Sequence, residues 1–464
     1  MAGIGFRLQK ILSKDTYTDS MKAYFYSALI VSGPWILSIL SMVALNYFTP
    51  KSIDFYELTF FRTTIVYVFA FSLIAAGFLY LSISRYLADK LYLKEEEAVV
   101  PIFNTVSLYM LIFQFITGSI FFFSQGIELK YALLSVLIYM VISMIWVVLV
   151  FLTALRDYTA VGRAYAMGTI ITVISCIYLG NKIGLLGYFV GYLLGHFVIV
   201  VLLSSRIFVE FDSKRMLDRD LWSFLIRNKD IVLTGFFYNL AIWIDKILFW
   251  FSPKSVEIYP WMHTYPIYES AVFLSYLTII PALSIFMVEI ETDFYRKYKL
   301  FYSRVVGKTP LSLIKQAKQS MAQSLKRSII MVIISQGGIS AIAIMFTPEI
   351  VSMCRLLPIQ IPLFRITVLG AFLHGLLLIA IIIILYFDLR KEAMIVSIVF
   401  CATNALFTWI TLFLPEQFLG YGYFISCFIS LITAFYLLNF KYSRLEYLTF
   451  ALQPLGSHRE DEVS

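Results

Sequence analysis

The sequence predicts an all-α polytopic membrane protein of about twelve transmembrane helices in two six-helix lobes. Composition is the first reason: of 464 residues, 60% are hydrophobic, 17% aromatic and only 14% charged, with a mean hydropathy of +0.83. Soluble domains carry about 25% charged residues. The second is that a run of about 20 apolar residues, enough to cross a hydrocarbon core, recurs about twelve times along the chain. The third is loop charge. With the N-terminus inside, the cytoplasmic segments hold 29 Lys and Arg and the outer loops 7, and Lys246 inside a span completes the 37. One missed helix would scramble that alternation. Both termini are therefore assigned to the cytoplasm. The net charge of +8 reads as a topology and anionic-lipid signal, with no claim on nucleic acid.

Residues 1–22 mix Arg7 and Lys10 with Ile4, Phe6, Leu8 and Ile11, without a long apolar core and cleavage site. They are expected to form an interfacial helix rather than a signal peptide. The first lobe, residues 23–205, holds spans near Ala23 to Phe48, Phe60 to Ser84, Pro101 to Ser124, Tyr131 to Leu155, Tyr165 to Gly180 and Gly184 to Ser205. In its first span, Ser32, Gly33, Pro34 and Trp35 interrupt the apolar run, and proline there kinks a helix by removing a backbone hydrogen bond. In its sixth, Gly187, Gly191 and Gly195 share one face, which lets a neighbouring backbone approach closely.

A polar linker, residues 206–229, divides the spans six and six. The second lobe, residues 230–440, has spans near Ile231 to Phe251, Ser270 to Ile290, Ser328 to Pro348, Leu363 to Phe387, Ala393 to Leu414 and Leu419 to Phe440, followed by a cytoplasmic tail, 441–464. Both lobes start from the same side, the orientation of parallel repeats that rock about a central site. Gln336, Gly337 and Gly338 form a weaker interruption of the ninth span.

The seventh span, YNLAIWIDKILFW from Tyr238 to Trp250, places Asn239, Asp245 and Lys246 in an otherwise apolar run. An ionisable group at the centre of a membrane helix costs about 2.5 to 3.5 kcal/mol on insertion scales, so it faces a partner or a wet cavity. Asp245 and Lys246 are adjacent, about 100° apart around the helix, and adjacent residues do not face each other; a simple mutual ion pair is not expected. Lys246 has a stem long enough to snorkel to the outer interface. Asp245 is short, and is expected to face the cavity between the lobes. Trp243, Pro34 and Trp35 are further pathway candidates, and Trp35, Trp243, Trp250, Trp261, Tyr265 and Tyr268 suit stacking on sugar rings, although membrane aromatics commonly form interface belts. Glu289, Glu291 and Asp293 form either a solvated edge paired with Arg296 and Lys297 or an acidic mouth to the pathway. His196 and His374 read as histidines bonded within the bundle.

The connector 294–327 carries a second amphipathic signal, with Thr309 as N-cap, Pro310 at the first helical position, and Leu311, Ile314, Met321 and Leu325 at helical spacing. That face is expected to lie on anionic lipid or to dock a cytoplasmic partner. Cys176, Cys354, Cys401 and Cys427 are scattered and show no metal or disulfide spacing. Neither a nucleotide loop nor an HExxH motif occurs, and no soluble segment is large enough for catalysis, so no enzyme, cofactor or metal site is expected.

MAGIGFRLQKIL at the N-terminus, YSALIVSGPWILSIL in the first span, YNLAIWIDKILFW, and FLSYLTIIPALSIFMVEIETDFY together resemble the PelG family of Pel exopolysaccharide exporters. The resemblance runs from the first residue to the last span. That family is part of the multidrug/oligosaccharidyl-lipid/polysaccharide exporter superfamily, which implies a flippase-like fold of two six-helix lobes. It further implies export of a nascent, N-acetylhexosamine-rich polysaccharide across the bacterial inner membrane for biofilm matrix. The implied partners are a cytoplasmic glycosyltransferase and membrane proteins that respond to cyclic di-GMP. An ion-coupled drug or lipid-linked oligosaccharide flippase of the same superfamily is the alternative.

Overall fold

The computed structural model of the chain describes Ser41, Leu45, Phe48 and residues 53–152, 158–307 and 309–451. The expected interfacial helix, nearly all of the first span with Pro34 and Trp35, and the end of the tail lie outside the described residues.

Eleven helices among the described residues are long and apolar enough to cross a membrane, and they correspond to the second to twelfth expected spans. The first half contains α1 (Phe55–Tyr92), α2 (Val99–Phe123), α3 (Leu129–Leu152), α4 (Tyr158–Ile183) and α5 (Leu185–Glu210). A short helix in the linker, α6 (Leu221–Arg227), leads to α7 (Lys229–Trp250). A hairpin of β1 (Val256–Tyr259) and β2 (Met262–Thr264) then precedes α8 (Pro266–Leu277) and α9 (Ile280–Glu289). The second half continues with α10 (Tyr295–Val306), α11 (Leu311–Met345), α12 (Thr347–Met353), α13 (Gln360–Tyr386), α14 (Arg390–Leu412), α15 (Tyr421–Ser443) and α16 (Leu445–Ala451). Long helices satisfy every backbone group internally, which is what lipid demands.

Local chemistry sets the ends. Asp54 caps α1 by accepting from the Glu57 amide at 2.7 Å, while the Glu57 carboxylate accepts from the Asp54 amide at 3.3 Å, a capping box that fixes where the helix starts. The expected eighth span is broken: α8 ends at Leu277 and α9 begins at Ile280, with Pro281 in its first turn, because proline lacks the N–H that would continue the helix. A π-helical turn, Ile290–Phe294, then joins α9 to α10. The expected interruption at Gly337 and Gly338 does not occur. The helix α11 runs through both, and a Cβ at either would meet open space, so neither serves a close approach.

Two hydrophobic cores form. One is built from α1 to α5 and takes in Trp243 and Trp250 of α7 and Ile258 and Met262 of the hairpin. The other is built from α8 to α15 and takes in Ala241 and Phe249 of α7. The seventh helix thus serves both cores with opposite faces. Its closest neighbour across the seam is α1. A Cβ on Gly77 would lie 2.8 Å from the Gly235 carbonyl oxygen, and one on Gly235 2.2 Å from that of Gly77, so glycine at both positions lets the two backbones touch. Phe78 stacks on Phe236 at 4.2 Å and Tyr67 on Trp250 at 4.2 Å.

The glycine stripe of α5 lies against α4. Added Cβ atoms at Gly187, Gly191 and Gly195 would come within 2.2 Å of Leu179, 2.4 Å of Cys176 and 1.9 Å of Thr172. His196 is held inside that bundle, its Nδ1 2.9 Å from the Tyr192 carbonyl oxygen and its ring stacked on Tyr192 at 4.1 Å.

The amphipathic connector differs from expectation. Pro310, not Thr309, occupies the cap position of α11, and the Thr309 hydroxyl donates to the Arg304 carbonyl at 3.1 Å. Ile314, Met321 and Leu325 are buried in the second core with Phe301 and Val305 of α10. The apolar stripe therefore packs within the molecule and offers no docking face. Leu311 alone of the four is exposed, at 53%.

Candidate functional site: a buried charge cluster beside the seam between the lobes

Asp245 and Lys246 are both 0% exposed. Contrary to the expectation from helix geometry, they pair directly: the Lys246 Nζ lies 3.0 Å from Asp245 Oδ1 and 3.1 Å from Oδ2. The 100° between neighbouring Cβ atoms is real, but the flexible four-carbon stem of lysine curls back across it. The same ammonium donates to the Ile242 carbonyl at 2.8 Å and the Tyr276 hydroxyl at 3.1 Å, while the Tyr268 hydroxyl donates to Asp245 Oδ2 at 2.7 Å. All three ammonium hydrogens have acceptors. Lys246 therefore does not snorkel.

Nor does Asp245 face a cavity between the lobes. It points into the second core, where α8 supplies Tyr268 and Tyr276, and α15 supplies Tyr423, whose ring lies 6.0 Å from the Lys246 Nζ. Trp243 is two residues earlier, about 200° around the helix, and packs into the first core with its ring 5.8 Å from the same ammonium. Of the seventh-span candidates, Trp243 and Trp250 are the ones at the seam.

The cluster extends toward the other end of α7 through tyrosines and a histidine. The Tyr276 and Tyr423 rings pack edge to face at 5.8 Å, the Tyr423 hydroxyl meets His374 Nδ1 at 2.9 Å, and His374 Nε2 meets the Tyr238 hydroxyl at 3.0 Å. Asn239 bonds its own helix, donating to the Gly235 carbonyl at 2.8 Å. Asn404 of α14 donates to the Ala241 carbonyl at 2.8 Å and ties α7 to the second half.

A second buried acid, Glu269, was not among the sequence candidates. Its carboxylate accepts from Trp250 Nε1 at 2.6 Å, the Tyr265 amide at 2.8 Å and the Thr264 hydroxyl at 3.1 Å. The available signal was a lone acid one residue before the assumed start of the eighth span; placing that start at Pro266 would have brought it inside. Of the tyrosine partners, Tyr268 stood out only as a stacking surface and Tyr238, Tyr276 and Tyr423 not at all, because 31 tyrosines are spread along the chain.

The acidic group at the end of α9 is separate from this cluster. Asp293 pairs with Arg296 at 2.9 Å and Lys297 at 2.7 Å and accepts from Ser324 at 2.5 Å. Glu289 accepts a long contact, 3.5 Å, from Ser328. The side chain of Glu291 is not among those described. On this basic face the two halves also meet through charge: Arg85 lies 3.9 Å from Asp388, Asp388 pairs with Arg390 at 2.7 Å, and Arg390 donates to the Asn228 side chain.

The fold is that of a membrane transporter of the MATE and MOP type. Similar solved structures include an outward-facing multidrug resistance MATE transporter (TM-score 0.62, 13% identity, 92% of this chain and 96% of that one). An inward-facing multidrug resistance MATE transporter also matches (0.58, 14%, 92% and 99%), as does a MOP superfamily transporter from Pyrococcus furiosus (0.62, 14%, 92% and 96%). No curated protein sequence matches the chain. Residues 1–450 match the family described as "PelG: Putative exopolysaccharide Exporter (EPS-E)", and the chain belongs to that family. Family and fold alike are those of a transport protein rather than an enzyme.

Proposed function

We propose that this protein exports a Pel-type exopolysaccharide, rich in N-acetylhexosamines, from the cytoplasm across the bacterial inner membrane for a biofilm matrix. The pathway runs along the seam between the two halves. One observation carries the reading: a chain belonging to an exopolysaccharide exporter family over 1–450 is built, among the described residues, as two separate cores with α7 contributing buried side chains to both. A transporter that alternates between faces needs two rigid bodies and one line along which they move. Trp243, Tyr67 and Phe71 put aromatic faces along that line, suited to sugar rings, while the ion pair of Asp245 and Lys246 stiffens α7 from behind. Pro34 and Trp35 of the first span remain proposed pathway residues, and Glu289, Glu291 and Asp293 a proposed acidic entrance on the basic face. That face is placed in the cytoplasm, where a glycosyltransferase makes the polymer and membrane partners respond to cyclic di-GMP.

A second reading, a drug or lipid-linked oligosaccharide flippase coupled to ions, is favoured by the multidrug transporters that share the fold. Removing the protein from a producing cell and restoring it separates the two. The exporter reading expects polymer outside the cell to vanish and return while synthesis inside continues. Unchanged secretion together with new sensitivity to cationic drugs sinks it in favour of the second.

A further inference from the structure

The hairpin is covalently part of the second half, yet its inward side chains, Ile258 and Met262, belong to the core of the first. Four of its backbone groups are also held across the seam. The Tyr56 hydroxyl donates to the Ile258 carbonyl at 2.8 Å, the Tyr67 hydroxyl donates to the His263 carbonyl at 3.0 Å and accepts from the His263 amide at 2.9 Å, and the Trp261 amide donates to Gln125 Oε1 at 3.0 Å. The Tyr259 ring packs edge-on against Phe60 at 5.2 Å. Three residue pairs with an irregular register between Glu257 and Tyr259 make a ribbon that is marginal on its own in water. Its shape is therefore supplied by α1.

Tyr67, which makes two of these bonds, is stacked on Trp250, and the Trp250 indole N–H is fixed by Glu269. Glu269 also grips the end of β2 through Thr264 and Tyr265. One carboxylate thus sets both the tryptophan under the tyrosine and the strand over it. Separating the halves at this face requires pulling Ile258 and Met262 out of the first core and breaking the bonds to Tyr67.

We propose that residues 256–264 form the exit gate of the exporter, a strap held shut on α1 by Tyr67, with Glu269 as its positioning residue through Trp250. The proposal rests on the exporter reading and places the hairpin face outside. A polymer leaving along the seam passes only when the strap lifts.

The test replaces the four native cysteines and introduces Met262→Cys on the strap's inner side, where Met262 is 0% exposed. A membrane-impermeant maleimide added from outside should label it slowly, and at least tenfold faster when Tyr67→Phe or Glu269→Gln is added. Trp261→Cys, 60% exposed, should label fast in every background, and Ile383→Cys, buried in the second core, should stay unlabelled if the variants remain folded. Separately, Gln125→Cys and Trp261→Cys bridged by a short reducible bis-thiosulfonate should stop polymer export, and reduction should restore it. Labelling at 262 that neither variant changes overturns Glu269 and Tyr67 as the latch. Full export by the bridged protein overturns the gate while leaving the exporter reading intact. That reading fails instead if the unbridged parent exports nothing, and the labelling still reports on the strap.

Discussion

Asp245 and Lys246 show how a membrane helix carries two opposite charges without opening a route for water. Each charge is matched by the other and by tyrosine hydroxyls from α8, so the pair is neutral and saturated. Removing one partner from such a pair costs about 3 to 5 kcal/mol, because the remaining charge is stranded, whereas replacing both by apolar residues is often neutral. Asp245→Asn is therefore expected to lower the thermal stability of the detergent-purified protein sharply. Asp245→Leu combined with Lys246→Met should recover most of that loss. An Asn variant as stable as the parent would contradict the account of the pair as a structural brace. The sequence made these two residues conspicuous but not their arrangement, since helical angles say where Cβ atoms point and nothing of where a lysine ends. Glu269 escaped for a related reason: its significance comes from Trp250 and Thr264, which only folding brings to it.

Helices in this chain do two jobs along their length, and that is where reading by period fell short. The stripe of Ile314, Met321 and Leu325 has the spacing of a docking face, but α10 folds back to cover it; a period shows that a face is apolar and not what covers it. Serine at these three positions should lower folded protein, while Leu311→Ser should not. Normal yields of the triple variant, with loss of a bound glycosyltransferase, would restore the docking expectation. The broken eighth span had a visible cause in Pro281, whereas Gly337 and Gly338 looked like a break and are not one. Glycine permits a kink without requiring it, and lipid keeps the backbone bonds of α11 closed.

The last described helix is fastened by charge. Glu446 of α16 pairs with Lys318 of α11 at 2.5 Å, and although partial burial acts to raise its pKa, that hydrogen bond holds the carboxyl below the usual value. A carboxyl held low adds stability above its unfolded pKa of about 4.3 and loses it as pH falls through the lower folded value. Protection of α16 from protease should therefore persist at neutral pH and fade only below about pH 4.3. Glu446→Gln should be more readily cut at neutral pH and show no such step. A step at higher pH, or the same step in the Gln variant, would assign the fastening to other contacts.

At the scale of the whole molecule, the two ends of the seam are closed by different chemistry. The hairpin face is closed by buried side chains and aromatic stacks, and the basic face by the long, exposed ion pair of Arg85 with Asp388, which Arg390 holds from its own side; such a pair is worth about 0 to 1 kcal/mol. The expected orientation follows from loop charge alone: reporters fused at Glu57, Tyr259 and Glu416 should read outside, and at Glu210 and Lys318 inside. One reversed reporter would undo the assignment of faces.

The expectation of two lobes came from the polar linker 206–229, which divides the expected spans six and six, with the alternation of basic loops supporting the span count. The seam was not legible, because contact between Gly77 and Gly235 joins residues far apart in a chain with 22 glycines. A substrate was expected only through the resemblance; the family match gives an exopolysaccharide exporter family, and the Pel-type polymer stays a proposal.

The most direct measurement is made on inverted inner-membrane vesicles carrying the glycosyltransferase and supplied with labelled nucleotide sugar. With this protein present, polymer is expected to accumulate in the lumen, resistant to added glycosidase, in proportion to folded protein. Equal protection in vesicles that lack it would contradict the account.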